Sequence, residues 1–214
     1  MTPVQNAASP SQILYRIGRL PNPLAWPPRG LTGAGRFDDP LGQFSTLYAA
    51  EQRRACFIES LARFRASPKV LAELRRVSGT SDTVLSPSVP LDWCAKRGVA
   101  RFYLRAGQRW LDLRSIETRE ALRTELAELL VNLNLADLDA GEVLSPNRQL
   151  TQAISRWAYE RGYNGIAYKS RLDDDLDCWA LFQGASIEMV GSIEPISPHD
   201  PDFREAATLF GLVI

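Results

Sequence analysis

Residues 147–182 read NRQLTQAISRWAYERGYNGIAYKSRLDDDLDCWALF, and a change of period inside this stretch decides the fold class. From Asn147 to Arg161, Leu150, Ile154 and Trp157 recur at helical spacing, which predicts an amphipathic helix. Gly162 suits the left-handed cap that ends it. The period then shortens: Gly165 to Tyr168 and Trp179 to Phe182 read as short apolar strands. Arg171 to Asp177, with four aspartates and one arginine, reads as a solvated loop between them. Metal binding by that run is weakly supported, because the ligand spacing and turn glycine of a calcium loop are missing.

The same alternation continues outward on both sides. Ser186 to Ile193 reads as a third strand, and Asp200 followed by Pro201 starts a C-terminal helix. Upstream, a loop from about Asp137 to Pro146 follows a periodic helix over Ile116 to Leu135. Leu122, Leu126, Leu129, Leu130 and Leu133 face inward there, and Ser115 serves as the cap. Ala100 to Leu104 and Trp110 to Leu113 read as strands around the turn Arg105 to Gln108. Short strands mixed with helices predict a single domain of mixed α/β or α+β class.

The N-terminal third is more irregular. Residues 1–12 are small, polar and aperiodic, so they read as a flexible tail, with the domain running from 13 to 214. Pro21 to Gly35 holds four prolines and three glycines around Trp26, a composition that makes a long loop and often a functional one. Phe44 to Tyr48 reads as a strand after the turn at Asp39-Pro40 and Gly42. Residues 49–65 read as a helix whose apolar face is Phe57, Leu61 and Phe64, with Ile58 at the margin. Glu59 points away from that stripe toward Ala55 and Ala62, where it is solvated and paired with Arg63 at i,i+4. The small alanines beside it also leave room for a ligand against the helix.

Composition excludes several classes of function. Twenty-five basic residues balance twenty-five acidic ones, so no global field favours nucleic acid or an anionic membrane. No apolar run approaches the ~18 residues that a transmembrane helix needs. Cys56, Cys94 and Cys178 are odd in number and not spaced as metal ligands, which reads as reduced thiols in a cytoplasm. The only histidine, His199, lies between prolines near the C-terminus, so histidine-dependent triads and histidine-rich metal sites are excluded.

Three separated stretches carry the chemistry: Leu14-Tyr15-Arg16; Ala34-Gly35-Arg36-Phe37 with Leu47-Tyr48 and Phe57-Ile58-Glu59; and Gly165-Ile166-Ala167-Tyr168-Lys169-Ser170-Arg171. In this order they resemble the RES domain, a toxin family named for its Arg, Glu and Ser, over about residues 13–193. The resemblance implies an α+β fold like that of ADP-ribosyltransferases, a single domain with mixed, largely antiparallel sheets flanked by helices, and a toxin that destroys NAD by hydrolysis or phosphorolysis, or moves its ADP-ribose to a protein. Carried over, Arg16, Arg36, Tyr48, Glu59 and Ser170 form the NAD site, and Glu59, Arg36 and Tyr48 are its catalytic residues. NAD is substrate, inorganic phosphate a co-substrate, and no other cofactor or metal is implied. The implied partner is an Xre-like helix-turn-helix antitoxin in a hetero-oligomer, which carries any DNA contact. Phe37 stands where the family usually has tryptophan, and Asp38 where it often has asparagine.

The residue types suit that chemistry. Breaking the nicotinamide–ribose bond develops oxocarbenium character, which a carboxylate such as Glu59 stabilises. Arginine forks at 16 and 36 bind pyrophosphate oxygens in two places. Tyr48 offers a face for the cationic nicotinamide ring, and the Ser170 hydroxyl can bond phosphate or ribose. Two other functions use the same residues: a protein ADP-ribosyltransferase, or a nucleotide-binding module without catalysis.

Overall fold

The computed structural model describes residues 4–8, 10, 13–29, 33–78 and 87–214. Eight strands form one sheet: β1 (Leu14–Arg19), β2 (Thr46–Ala50), β3 (Arg97–Leu104), β4 (Trp110–Asp112), β5 (Gly165–Lys169), β6 (Asp177–Phe182), β7 (Ile187–Met189) and β8 (Glu194–Pro195). Their order is β4-β5-β6-β2-β1-β3-β7, with β8 also on β3. All pairs are antiparallel except β4 with β5.

The helices are α1 (Arg53–Leu61), α2 (Pro68–Ser78), α3 (Ile116–Glu125), α4 (Ala127–Asn132), α5 (Ala140–Leu144), α6 (Arg148–Glu160) and α7 (Pro201–Leu209). The α+β architecture with a largely antiparallel sheet is therefore as the resemblance implies.

Alternation along the strands sorts residues to two faces. Ala50, Val99, Leu111, Ile166, Cys178, Ala180 and Phe182 belong to the larger core with α1, α3, α6 and α7. Leu14, Leu47, Phe102, Trp110, Ala167, Trp179 and Leu181 form a second cluster on the other side, against which Leu24 and Trp26 pack. The proline-bearing loop thus covers an apolar face against which, among the described residues, no helix packs. Its residues 30–32 lie outside the described residues.

Several expectations change. The single helix over Ile116 to Leu135 is two helices, because Leu126 leaves helical geometry at φ −107° and ψ 19°. Its N–H still reaches Leu122 O and its carbonyl still receives Leu130 N–H, so the apolar stripe survives the break. The strands flanking Arg105 to Gln108 do not pair with each other, since β3 lies between β1 and β7 while β4 lies on β5. The loop expected over 137–146 contains α5, capped by Asp139. The helix expected over 49–65 begins only at Arg53, because β2 runs through Ala50. The third strand, expected over Ser186 to Ile193, is shortened to β7, and β8 follows beyond its expected end.

Contacts with the sheet also begin ahead of Ile13, where composition alone places the start of order. Asn6 bridges to Leu111, and Ala7 N–H donates to Trp110 O at 2.8 Å. α6 with its Asn147 cap and α7 with its Asp200 cap form as expected, and Gly162 is left-handed at φ 74°.

The central strands β1 and β2 share a single register pair, Tyr15 opposite Ala50. Elsewhere neighbouring strands run together for up to six pairs. The sheet therefore has a seam at its middle, and the candidate site lies against it.

Candidate active site

Arg16 spans the seam. From β1 its Nε donates to Pro23 O at 2.8 Å and its Nη1 to the Tyr48 carbonyl of β2 at 2.7 Å. A side chain thus supplies a link where the backbone ladder has ended. Burial lowers the Arg16 pKa to about 10, still high enough to keep the charge at neutral pH. Two of its five N–H donors are thus committed to the backbone.

A cavity of about 580 Å³ opens here, lined by Arg16, Arg36, Tyr48 and Glu59 together with Ala50, Cys56, Tyr168 and Cys178. Four residues that span Arg16 to Glu59 in sequence thus meet at one place. Ser170 meets them indirectly: its Oγ donates to Glu59 Oε1 at 2.5 Å. The serine is 2% exposed and receives Leu172 N–H at 3.0 Å, so its hydroxyl hydrogen is directed to the carboxylate. No ion pair joins Glu59 to Arg63 among the described residues, contrary to the i,i+4 expectation. Glu59 is exposed on α1, as its place off the apolar stripe predicts, but what it faces is this cavity.

Arg36 is held by a helix end. Its Nη2 donates to Val143 O and its Nη1 to Leu144 O, the unsatisfied carbonyls at the C-terminus of α5. Burial, and then Arg171 nearby, lower its pKa from the usual arginine range. Tyr48 is fixed from the other side: its phenol donates to Asp38 Oδ1 at 2.8 Å and accepts Phe37 N–H at 2.9 Å. Burial, reinforced by the Asp38 charge, raises its pKa well above that of free tyrosine.

Sequence reasoning missed part of the lining. Arg63, Arg65, Arg148 and Arg171 join Arg16 and Arg36 around the cavity. Unlike Arg53 and Arg114, none of these six forms an ion pair among the described residues. Glu59 is the one carboxylate among the lining residues. Positive charge of this kind in a concave site suits an anion. Arg171 stands in the Gly165–Arg171 stretch without an assigned role, and Arg148 lies one turn from the buried Gln152 beside the Leu150 and Ile154 stripe of α6. Tyr168 was legible as a strand residue but not as cavity lining.

Among the described residues, no group of three or more His, Cys, Asp or Glu side chains is gathered as a metal site, and no helix is long and apolar enough to cross a membrane.

The chain matches the RES domain in two overlapping segments, residues 13–114 and 99–204, and belongs to that family. A chain of the crystal structure of the M. tuberculosis MbcT–MbcA toxin-antitoxin complex is similar in fold, with a TM-score of 0.57 at 14% sequence identity. The likeness covers 95% of this chain and 92% of that one. Comparison with curated proteins gives no match.

Proposed function

We propose that this protein is the toxin of a toxin-antitoxin pair and acts in the cytoplasm by cleaving the nicotinamide–ribose bond of NAD. The observation that carries the reading is the cavity itself, in which a serine-oriented Glu59 stands among six arginines without carboxylate partners. Their excess positive charge suits a pyrophosphate. Glu59 then lies beside the ribose and stabilises the positive charge that develops as nicotinamide departs. Arg36 holds phosphate oxygens, Arg16 adds charge from beneath, and the Tyr48 ring supports the nicotinamide. Water or inorganic phosphate takes the ribosyl carbon.

Membership of the RES family supports this reading, and the fold shared with a chain of a toxin-antitoxin complex supports an antitoxin partner. That partner is an Xre-like helix-turn-helix protein, which binds any DNA for the pair. A protein ADP-ribosyltransferase would use the same cavity, with a side chain as acceptor.

The test is incubation of purified protein with NAD, with and without phosphate, beside the Glu59→Gln variant. Free ADP-ribose or its 1-phosphate supports cleavage, and label retained on protein moves the assignment to transfer. NAD left intact by the wild type overturns both. In bacteria, expression should lower NAD and stop growth, whereas soluble Glu59→Gln protein at the same level should do neither.

A further inference from the structure

The loop that carries Arg36 is fastened by side chains at most of its polar backbone groups. Asp38, 7% exposed, accepts Gly33 N–H at 2.9 Å and Gly35 N–H at 2.7 Å on Oδ2, and the Tyr48 phenol on Oδ1. From α6, Gln152 Nε2 donates to Gly33 O and Gly35 O, both at 2.9 Å, and Arg148 donates to Ala34 O. Ser155 and Thr46 hydroxyls donate to Phe37 O at 2.6 and 3.0 Å. Position 35 is closed to a side chain, because a Cβ there would lie 2.4 Å from the Tyr48 hydroxyl oxygen and 2.6 Å from Asp38 Oδ1.

A tyrosine has one hydroxyl hydrogen, and that of Tyr48 is used by Asp38. Its oxygen also receives Phe37 N–H, so the group is occupied in both directions. We infer that Asp38 is a positioning residue of this site: through Tyr48 and residues 33–37 it sets Arg36 at the cavity wall and keeps the Tyr48 phenol proton from the ligand. Tyr48 then contributes its ring to the cavity and its hydroxyl to the scaffold. In this chain the carboxylate accepts all three converging donors at once. An amide of the same shape would have to turn its NH2 toward a donor or release the phenol hydrogen.

This inference rests on the NAD reading for its kinetic arm, so the experiment has a second arm that does not. Asp38→Asn, Tyr48→Phe and the double variant are compared for NAD turnover, with thermal melting to confirm folding. Each single variant should raise KM about tenfold and lower kcat by less. The double variant should be no worse than the poorer single, because both remove one link. Additive losses, or an unchanged KM in folded Asp38→Asn, would overturn the inference. In the second arm, hydrogen exchange at the Gly35 amide should quicken in Asp38→Ala, which removes both acceptor oxygens, and unchanged protection in the folded variant overturns the inference whether or not NAD is consumed. A wild type inert to NAD with quickened exchange in Asp38→Ala removes the reaction and leaves the positioning of the loop.

Discussion

The hydroxyl of Ser170 donates to Glu59 Oε1 across 2.5 Å, joining the end of β5 to α1 over 111 residues of sequence. Ser170 itself is buried behind the carboxylate, so its effect on chemistry runs through the carboxylate's orientation. Ser170→Ala should therefore lower kcat more than it raises KM. A hydrogen bond to a charged group is worth ~1.5–3 kcal/mol, which corresponds to a loss of roughly tenfold to a hundredfold. Steady-state NAD kinetics measure it, and an unchanged kcat would leave Ser170 with a structural role alone.

Glu59→Gln keeps the side chain's shape and its bond from Ser170 but removes its charge. Loss of one electrostatic group of this kind costs ~10²–10³ in rate, so turnover should nearly vanish while the melting temperature stays close to that of wild type. Full turnover in this variant would return Glu59 to the status of a surface residue.

Arg36→Lys preserves charge but not shape. An ammonium cannot serve Val143 O and Leu144 O and also offer a planar fork to phosphate oxygens. ADP-ribose affinity, read by calorimetry in the Glu59→Gln background, should weaken by about tenfold. An unaltered Kd would confine Arg36 to capping α5.

Cysteine reactivity gives a prediction free of any ligand. Burial pushes the Cys56 thiol up to about 12, and burial likewise raises Cys178 well above its ordinary range. At pH 9 the folded protein should therefore alkylate first at Cys94, which is only partly buried. The sign for stability follows. A folded pKa above the unfolded one means that, between about 9 and about 12, the native state keeps a proton that the unfolded chain releases. This contribution is intact below pH 9 and fades as pH rises through that window. Peptide mass spectrometry after iodoacetamide checks the order of labelling, and rapid labelling of Cys56 would contradict it.

Arg53 ties α1 to the start of α7. It bonds Asp200 and Asp202 at 2.5 Å each and lies 3.4 Å from Glu194. Asp200 is also the helix cap, so Arg53→Ala strips a partner from a nearly buried carboxylate. The loss should be about 1–3 kcal/mol, measured by urea unfolding with an unchanged m-value.

Elements with strong period or caps were legible in the sequence: α6 and α7 stand where Leu150, Ile154, Trp157 and Asp200-Pro201 put them. Pairing was not, because β4 with β5 and β1 with β2 are set by tertiary packing and not by local pattern. The site was legible in part. Arg16, Arg36, Tyr48 and Glu59 were found through an ordered resemblance, yet Glu59 alone looked like a solvated helix residue. Its partner Ser170 is remote in sequence, and no periodicity reports a hydrogen bond of that range. Arg148 escaped notice, and Arg171 stood in its stretch without a role, for the same reason, since an arginine's lack of a carboxylate partner is visible only in three dimensions.

The fastening of residues 33–37 from behind has a thermodynamic consequence. Fixing a residue's backbone costs about 1–2 kcal/mol of conformational entropy, and for this wall the loss falls on folding and not on the filling of the cavity. An entering anion meets groups already in place, so its charge-assisted bonds are formed without the ordering penalty of a loop that closes on arrival. Loosening the wall would leave every contact with the anion available, and the entropy of association would become less favourable.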